Sequence, residues 1–453
     1  MTAENNTTIY GLLPGPNGGE LLILPCEDGW TLPKVVTDGT ASLGFGIVSK
    51  EMSRLLGCSV AAIRYVLAAK DGHDSPKETY YALDLMERVS DSYKPAGYGR
   101  WISEEEFAPL KGMDPNQRQA IESYFSEERS AVPDLRQPWE RSGWYRAAGT
   151  WIESELRALN IEITGSPEQV KWWSLSCVLR IPTGTGDVYF KTSARQPLFV
   201  SEPRLLACLS RLYPGQVPSV LASDMRLDWM LLPDAGLKLE RKAPAEQIAE
   251  VLLTFGRMQL DSVNHTDELL RIANCADRRP PHAIPLIASL LEDELVVSML
   301  SADEIGELRR QLPVIIDMCA RLSDYSVPAT LVHGDLHLGN VVSRDGRIVF
   351  FDWTDGCVAH PFMDMLLIFN EQDEAKRTYL RDAYLKLWLD FESMERLLEL
   401  WSLCEVAHAV YHTISYQSIL RHTEARARWE LGGAPAFHLR MALRYLRDAE
   451  TSY

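Results

Sequence analysis

Several things are missing from the sequence, and each absence excludes a class of function. No C-x-x-C pair occurs, because the eight cysteines stand singly at 26, 58, 177, 208, 275, 319, 357 and 404. Paired zinc or redox motifs are therefore excluded, and scattered single thiols suit a reducing compartment. Positive charge is also short, with 46 Lys and Arg against 63 Asp and Glu and a net charge of −17. Neutralising nucleic-acid phosphates needs clustered Lys and Arg, so no nucleic-acid partner is expected. An anionic membrane surface is disfavoured for the same reason. No apolar run approaches the ~18 residues that a membrane span needs. The opening "MTAENNTTIYGLL" lacks the basic region and apolar run of a secretory signal. No internal repeat and no low-complexity segment stands out. The expectation is a cytoplasmic protein with no membrane contact, its oligomeric state left open.

What is present is ordinary globular material, 46% hydrophobic and 24% charged. At about 100–200 residues per domain, 453 residues predict two or three domains. Residues 1–126 alternate strand-like runs with turns. "GELLILP" (19–25) reads as a strand, with Glu27-Asp28-Gly29 as its turn. "AAIRYVLAAK" (61–70) and "TYYALDLMERV" (79–89) read as a strand pair about "DGHDSPKE". "SLGFGIVSKEMSRLLG" reads as a helix stopped by Gly57. Residues 126–140 are charged and Pro-bearing and read as a linker. Residues 142–160 read as an amphipathic helix, with Trp144, Ala148, Trp151, Leu156 and Leu159 on one face. Three strands follow, "VKWW", "SCVLRI" and "DVYFK", the last two joined by "PTGTGD" (182–187). A helix is predicted over 201–213, and most of the remainder is helical. Ser301 and Glu304 have capping-box spacing.

The most informative stretch is "LVHGDLHLGNVV", Leu331 to Val342. His333 and His337, four apart, would share a helical face and could chelate a metal. Gly334 and Gly339 argue against a helix there, and no H-E-x-x-H pattern exists. A buried polar loop is the plain alternative, since Asp, Asn and Gly are turn residues. The continuation shifts the balance. "GRIVFFDWTD" (346–355) is a turn, a strand and then Asp352. Asn340 and Asp352, at the ends of adjacent strands, can converge through oxygen on one hard cation. Asp335, five residues before Asn340, can then accept a proton. The spacing H-x-D-x-x-x-x-N matches the catalytic loop of protein kinases, with Asp352 in the place of their metal-binding aspartate. Phosphoryl transfer also asks for a strand-end lysine and a helix glutamate. Lys191 in "DVYFKTS" and Glu202 in "FVSEPRLL" stand in the right order. Taken singly, each also reads as a surface lysine or as a helix-N-terminal glutamate favoured by the dipole.

Together, "HGDLHLGN…FFDWTD", Lys191 and Glu202 resemble the aminoglycoside phosphotransferase and choline kinase family of small-molecule kinases. The resemblance spans roughly 167–453. It implies an α+β, bilobal, protein-kinase-like fold. Residues 167–236 would form a β-rich N-lobe and hinge, and 237–453 a helical C-lobe. A separate α/β domain (1–126) and a linker with the amphipathic helix (127–166) would precede them. It further implies ATP and Mg²⁺ as cofactors, Asp335 as catalytic base, and Asn340 and Asp352 as Mg²⁺ ligands. Lys191 would meet the ATP phosphates, positioned by Glu202. "DWMLLPDAG" (228–236), with Leu232 and Asp234, would be the hinge whose backbone holds adenine. His333 would orient the loop and Asp364 in "HPFMDM" would brace it, while His337 gains no role. One departure is the turn "WWSLSCV", which has no glycine to let backbone amides approach phosphates. Ser174 and Ser176 would have to serve there.

"WTLPK" and "SKEMSRLLGC" resemble the Nudix fold in degenerate form. In that alignment the box glycine falls on Val36, the first glutamate on Ser42 and the R-E pair on Lys50-Glu51. The central E-E pair becomes Arg54-Leu55, and only Glu51 and Gly57 match. Mg²⁺-dependent pyrophosphate hydrolysis needs those carboxylates, so no hydrolase activity is expected. An unrelated α+β domain is the equal alternative. In the helix around "WSLCEVAHAVYHTISYQSIL", Glu405, His408 and His412 share one face. That face reads either as aromatic core or as the pocket for a small-molecule hydroxyl acceptor. Three functions are thus in play: a small-molecule kinase acting on an aminoglycoside, sugar or amino alcohol, a nucleotide- or metabolite-sensing pseudokinase, and a Nudix-type hydrolase.

Overall fold

The computed structural model describes residues 6–16, 18–27, 29–38, 45–69, 78–86, 99–240 and 242–451. The chain forms two compact units, Met1–Thr192 and Ser193–Tyr453. The α+β class expected from the sequence is what is observed.

In the first unit the strand Glu78–Leu85 buries seven residues in a row, Thr79 to Leu85. A strand covered on both faces belongs inside a sheet. It pairs in parallel with Asn6–Leu12 and antiparallel with Val60–Ala69, and Lys34–Asp38 closes the far edge. The expected strand pair is therefore present, while its "DGHDSPKE" turn lies mostly outside the described residues. A second small sheet sets Glu20–Cys26 between Gly29–Thr31 and Arg100–Ser103. The helix Phe45–Leu56 ends at Gly57, whose φ of +71° suits glycine. On this helix Glu51 is ion-paired with Arg54 at 3.0 Å, and Ser42 falls outside the described residues.

The stretch 126–140 is largely exposed and irregular beyond Arg129, yet it is anchored at both ends. The helix Pro115–Arg129 runs through its start. Glu127 and Glu128 meet the Arg64 guanidinium at 3.1 and 2.5 Å, and Arg64 is only 2% exposed. A buried cation needs paired carboxylates, and these charges supply them. Trp139 is buried as well, its indole donating to the Trp173 carbonyl at 2.9 Å. The next helix, Trp144–Ala158, buries Tyr145, Ala148, Ile152 and Leu156. Its inner face is therefore turned from the expected one, and Leu159 is exposed.

The three strands Glu168–Trp173, Ser176–Thr183 and Gly186–Ser193 form as expected. Gln169 ties the first of them into the same unit as the preceding residues. Its amide exchanges bonds with the Ala62 N–H and carbonyl at 3.1 and 2.9 Å. It also meets the Ser49 hydroxyl and, at 2.5 Å, the Tyr145 hydroxyl. Buried polar groups carry a high cost unless satisfied, so this network pins the register of the strand.

The second unit is mainly helical around a core that includes Phe255, Phe350, Trp353 and Phe362. Its long helices are Ala245–Ser262, Ala302–Arg321, Met394–Arg421 and Ala434–Thr451. The Ser301–Glu304 capping box is formed. Two small sheets frame one loop. Thr330–Val332 pairs with Cys357–Ala359, and Val341–Arg344 pairs with Arg347–Phe350. The loop between these sheets is His333–Asn340.

Candidate active site

Gly334 turns the chain at φ +85°. A Cβ there would stand 2.5 Å from the Asp355 carbonyl oxygen, so only glycine fits. The backbone amides of His333 and Gly334 both donate to the buried Asp364 carboxylate, at 2.5 and 2.8 Å. Burial pushes the Asp364 carboxyl up to about 7, against the pull of those donors. His333 is fully buried, and burial lowers its pKa, so the ring is neutral. Its Nε2 lies 3.0 Å from the Phe351 carbonyl, and its Nδ1 accepts from the Asp335 N–H at 3.4 Å. The ring thus links both halves of the expected site.

Asn340 closes a 3₁₀ turn, Leu338–Asn340. Its Nδ2 donates to the Asp335 carbonyl at 3.0 Å and to Asp335 Oδ2 at 3.1 Å. That use of the amide nitrogen fixes the orientation of the side chain and leaves Oδ1 outside these two bonds. Because Val341 pairs with Phe350, the residues flanking them meet at one end of the hairpin. The Phe351 N–H donates to the Asn340 carbonyl at 3.1 Å. Asp352 follows two residues after the strand, in the left-handed region at φ +66°. Non-glycine residues are rare there, and Asp is among the few that tolerate it.

The Asp352 loop is gripped from its other side. Glu202, 2% exposed, opens the helix Glu202–Leu212. Its carboxylate accepts from the Trp353 N–H at 2.9 Å and from the Thr354 hydroxyl at 3.3 Å. The Thr354 hydroxyl also lies 3.4 Å from Asp352 Oδ1, and the Thr354 carbonyl accepts from the Val200 N–H at 3.0 Å. Thr354 had no expected role, although it stands inside the quoted "FFDWTD". Arg278 was missed too. It is 6% exposed and donates to the Ser415 hydroxyl at 2.6 Å and the Tyr411 carbonyl at 3.0 Å. Nothing in its local sequence marks it.

The other expected residues lie on further elements of their own units. In the first unit Lys191 lies on the strand Gly186–Ser193 and is 7% exposed. Ser174 and Ser176 are buried, and the Ser176 hydroxyl accepts from the Trp173 indole at 2.8 Å. Their side chains therefore point into the fold. In the second unit Leu232 lies on the strand Trp229–Pro233. Asp234 caps the following turn by accepting from the Gly236 N–H at 3.0 Å. Of the two readings of the Glu405 face, His408 follows the core. It is fully buried, with Nδ1 on the Met363 carbonyl at 2.8 Å and its ring 4.7 Å from Phe369 and 4.4 Å from His412. Burial likewise depresses the His412 pKa and raises that of Glu405. The cause is the 28-residue helix itself, which is packed on nearly every side.

Among the described residues no group of three or more His, Cys, Asp or Glu could hold a metal. An Asn oxygen and one carboxylate are nevertheless a fitting donor set for a cation that brings most of its ligands as phosphate and water.

A choline kinase from Streptococcus pneumoniae is 15% identical, covering 67% of this chain and 99% of its own, at a TM-score of 0.49. An ethanolamine kinase from Plasmodium vivax is 11% identical over 75% and 98%, also at 0.49. A spectinomycin phosphotransferase solved with ADP and spectinomycin is 13% identical over 65% and 98%, at 0.45. No curated protein matches the chain. The model of the phosphotransferase enzyme family matches residues 173–400, about half of the chain and all of the loop and hairpin just described. By that match the chain belongs to the phosphotransferase enzyme family.

Proposed function

We propose that the protein is an ATP- and Mg²⁺-dependent kinase that phosphorylates a hydroxyl of a small molecule of the aminoglycoside, sugar or amino alcohol class. The observation that carries this reading is the double tie of Phe351 to Asn340 and His333. It links the Asp335, Asn340 and Asp352 segments through the Phe351 backbone and one fully buried ring. Asp335 is 43% exposed at its side chain, so an acceptor can reach it. In the reaction Asp335 takes the acceptor's hydroxyl proton as that oxygen bonds to the γ-phosphorus. The bond from the γ-phosphorus to the bridging oxygen breaks, and ADP leaves with the electron pair. Asn340 Oδ1 and the Asp352 carboxylate would hold Mg²⁺, whose bound charge offsets that of the phosphates. Lys191 is assigned to the phosphates and the Leu232–Asp234 backbone to adenine. Asp364 and His333 keep the loop in shape.

A second reading, a nucleotide-sensing module without transfer, is favoured by one observation. The turn at Ser174 has no glycine, and both nearby serine side chains are buried. The test is ADP release with Mg·ATP and a panel of hydroxyl compounds. Asp335→Ala should lower acceptor-dependent turnover by about 10²–10⁴-fold while ATP still binds. Equal release by wild type and variant across the panel would favour the sensing module.

A further inference from the structure

His337 has been left without a role, although it is the side chain nearest the proposed base in the surface-exposed part of the loop. Two observations bear on it. Its Nδ1 accepts from the Gly339 N–H at 2.9 Å. A backbone amide can only donate, so Nδ1 carries the lone pair and the neutral ring carries its proton on Nε2. That Nε2 faces Asp335 Oδ2 at 3.5 Å. No hydrogen bond is formed at that separation, and catalytic contacts of this kind often close only in the substrate complex. Gly339 is part of the same device. A Cβ there would stand 2.6 Å from the His337 ring, so a side chain at 339 would displace the imidazole.

The second observation concerns how the Asp335 carboxylate is shared. Oδ2 already accepts from Asn340 Nδ2 at 3.1 Å, and no described residue donates to Oδ1. His337 Nε2 lies nearest that same oxygen, so the bonded donor and the nearby one are both on the Oδ2 side.

We propose that His337 is a positioning residue for proton transfer, which, resting on the kinase reading above, selects the oxygen of Asp335 that acts as base. With Asn340 and His337 both on Oδ2, the carboxylate cannot rotate freely, and Oδ1 is the oxygen offered to the acceptor hydroxyl. The acceptor's proton moves to Oδ1. His337 keeps its own proton throughout and transfers none. The two histidines of the loop then work alike. In each, a backbone N–H two residues ahead fixes Nδ1 as acceptor and leaves Nε2–H on the other side, bonded to the Phe351 carbonyl at His333 and within 3.5 Å of Asp335 at His337.

The test uses two substitutions that separate the two ring nitrogens. In His337→Asn the amide oxygen can still accept from the Gly339 N–H, as an Asx turn, but nothing reaches Asp335. In His337→Gln the longer amide can donate to Asp335. Full-length proteins are compared for acceptor-dependent ADP release, with Asp335→Asn as reference. His337→Asn should lower kcat about tenfold to a hundredfold with little change in acceptor KM, the cost of a misoriented base. His337→Gln should recover most of that loss. Equal rates for the two variants, or a loss confined to KM, would overturn the proposal. A second readout needs no turnover: selective ¹⁵N labelling of histidine, with His337 assigned by its loss in His337→Gln. The Nε2–H tautomer is expected, and an Nδ1–H tautomer would overturn the proposal. If the kinase reading itself fails, wild type and Asp335→Asn will be equally inactive while the tautomer is still read.

Discussion

The loop His333–Asn340 and the helix Met394–Arg421 each carry two histidines four residues apart, and the two pairs meet opposite fates. In the loop, both ring nitrogens of His333 are engaged, and backbone amides supply one donor to each histidine. In the helix, His408 bonds through Nδ1 only, and its Nε2 has no partner. Beyond that bond it meets mainly other rings: His412 at 4.4 Å, then His438 stacked on His412 at 4.9 Å. The reason lies in the backbone. A helix spends its N–H groups on its own carbonyls, so a buried ring finds packing but few donors. An irregular loop keeps amides free, and these can fix a tautomer. Identical spacing thus gives amide-bonded rings in one place and ring-packed ones in the other.

Four changes test this contrast. The largest effect is expected from Asp364→Ala, which strands two buried amides at about 1–3 kcal/mol each. Urea unfolding should show a loss of about 2–5 kcal/mol, and turnover should fall with it. A stable, active variant would remove Asp364 as the brace. Next is His333→Phe, which keeps an aromatic ring but frees the Phe351 carbonyl and the Asp335 amide. It should cost about 1–3 kcal/mol and lower kcat, read by the same unfolding and ADP-release assays.

The third change is of pH. Burial lowers the pKa of His333 and His412, takes His360 and His408 down to about 3, and takes His438 to about 4. The unfolded chain therefore binds more protons at these sites. Their contribution is intact above about 6.5 and falls as pH drops, by up to about 1.4 kcal/mol per pH unit for each histidine. Asp364, raised to about 7, has the opposite sign, since its contribution is lost as pH rises from the ordinary carboxylate value toward 7. Five histidines outweigh it, so urea midpoints should drop between pH 6.5 and 4.5. A flat profile would contradict the burial of neutral rings. The smallest effect is expected from His408→Phe, which removes an orphaned Nε2 and one bond to Met363. Stability should change by no more than about 1 kcal/mol and turnover per folded molecule not at all. A large loss of turnover would return His408 to the active site.

What could be read from the sequence followed the same division. The nearness of Asp335 to Asn340, with Asp352 next to their hairpin, could be read because loop and hairpin are contiguous. Gly57 and the Ser301–Glu304 box could be read because helix ends are local chemistry. The burial of Arg64 could not, because its partners Glu127 and Glu128 lie over sixty residues away. The inner face of Trp144–Ala158 was misjudged because large rings such as Trp151 were preferred to the smaller residues that face inward. Gln169 gave no local hint of the network it anchors. Thr354 and Arg278 depend on partners distant in sequence and were invisible for the same reason.

The left-handed backbone at Asp352 has a consequence for which side chains this position can accept at all. Asp and Asn adopt that conformation readily because their short polar side chains bond locally, whereas other L-residues lose about 1–2 kcal/mol. Glutamate would keep the charge yet meet this penalty before any ligand arrives. The choice between two carboxylic acids that differ by one methylene is thus made partly by φ. A hairpin two residues upstream acts as a filter on the genetic code at the site it supports.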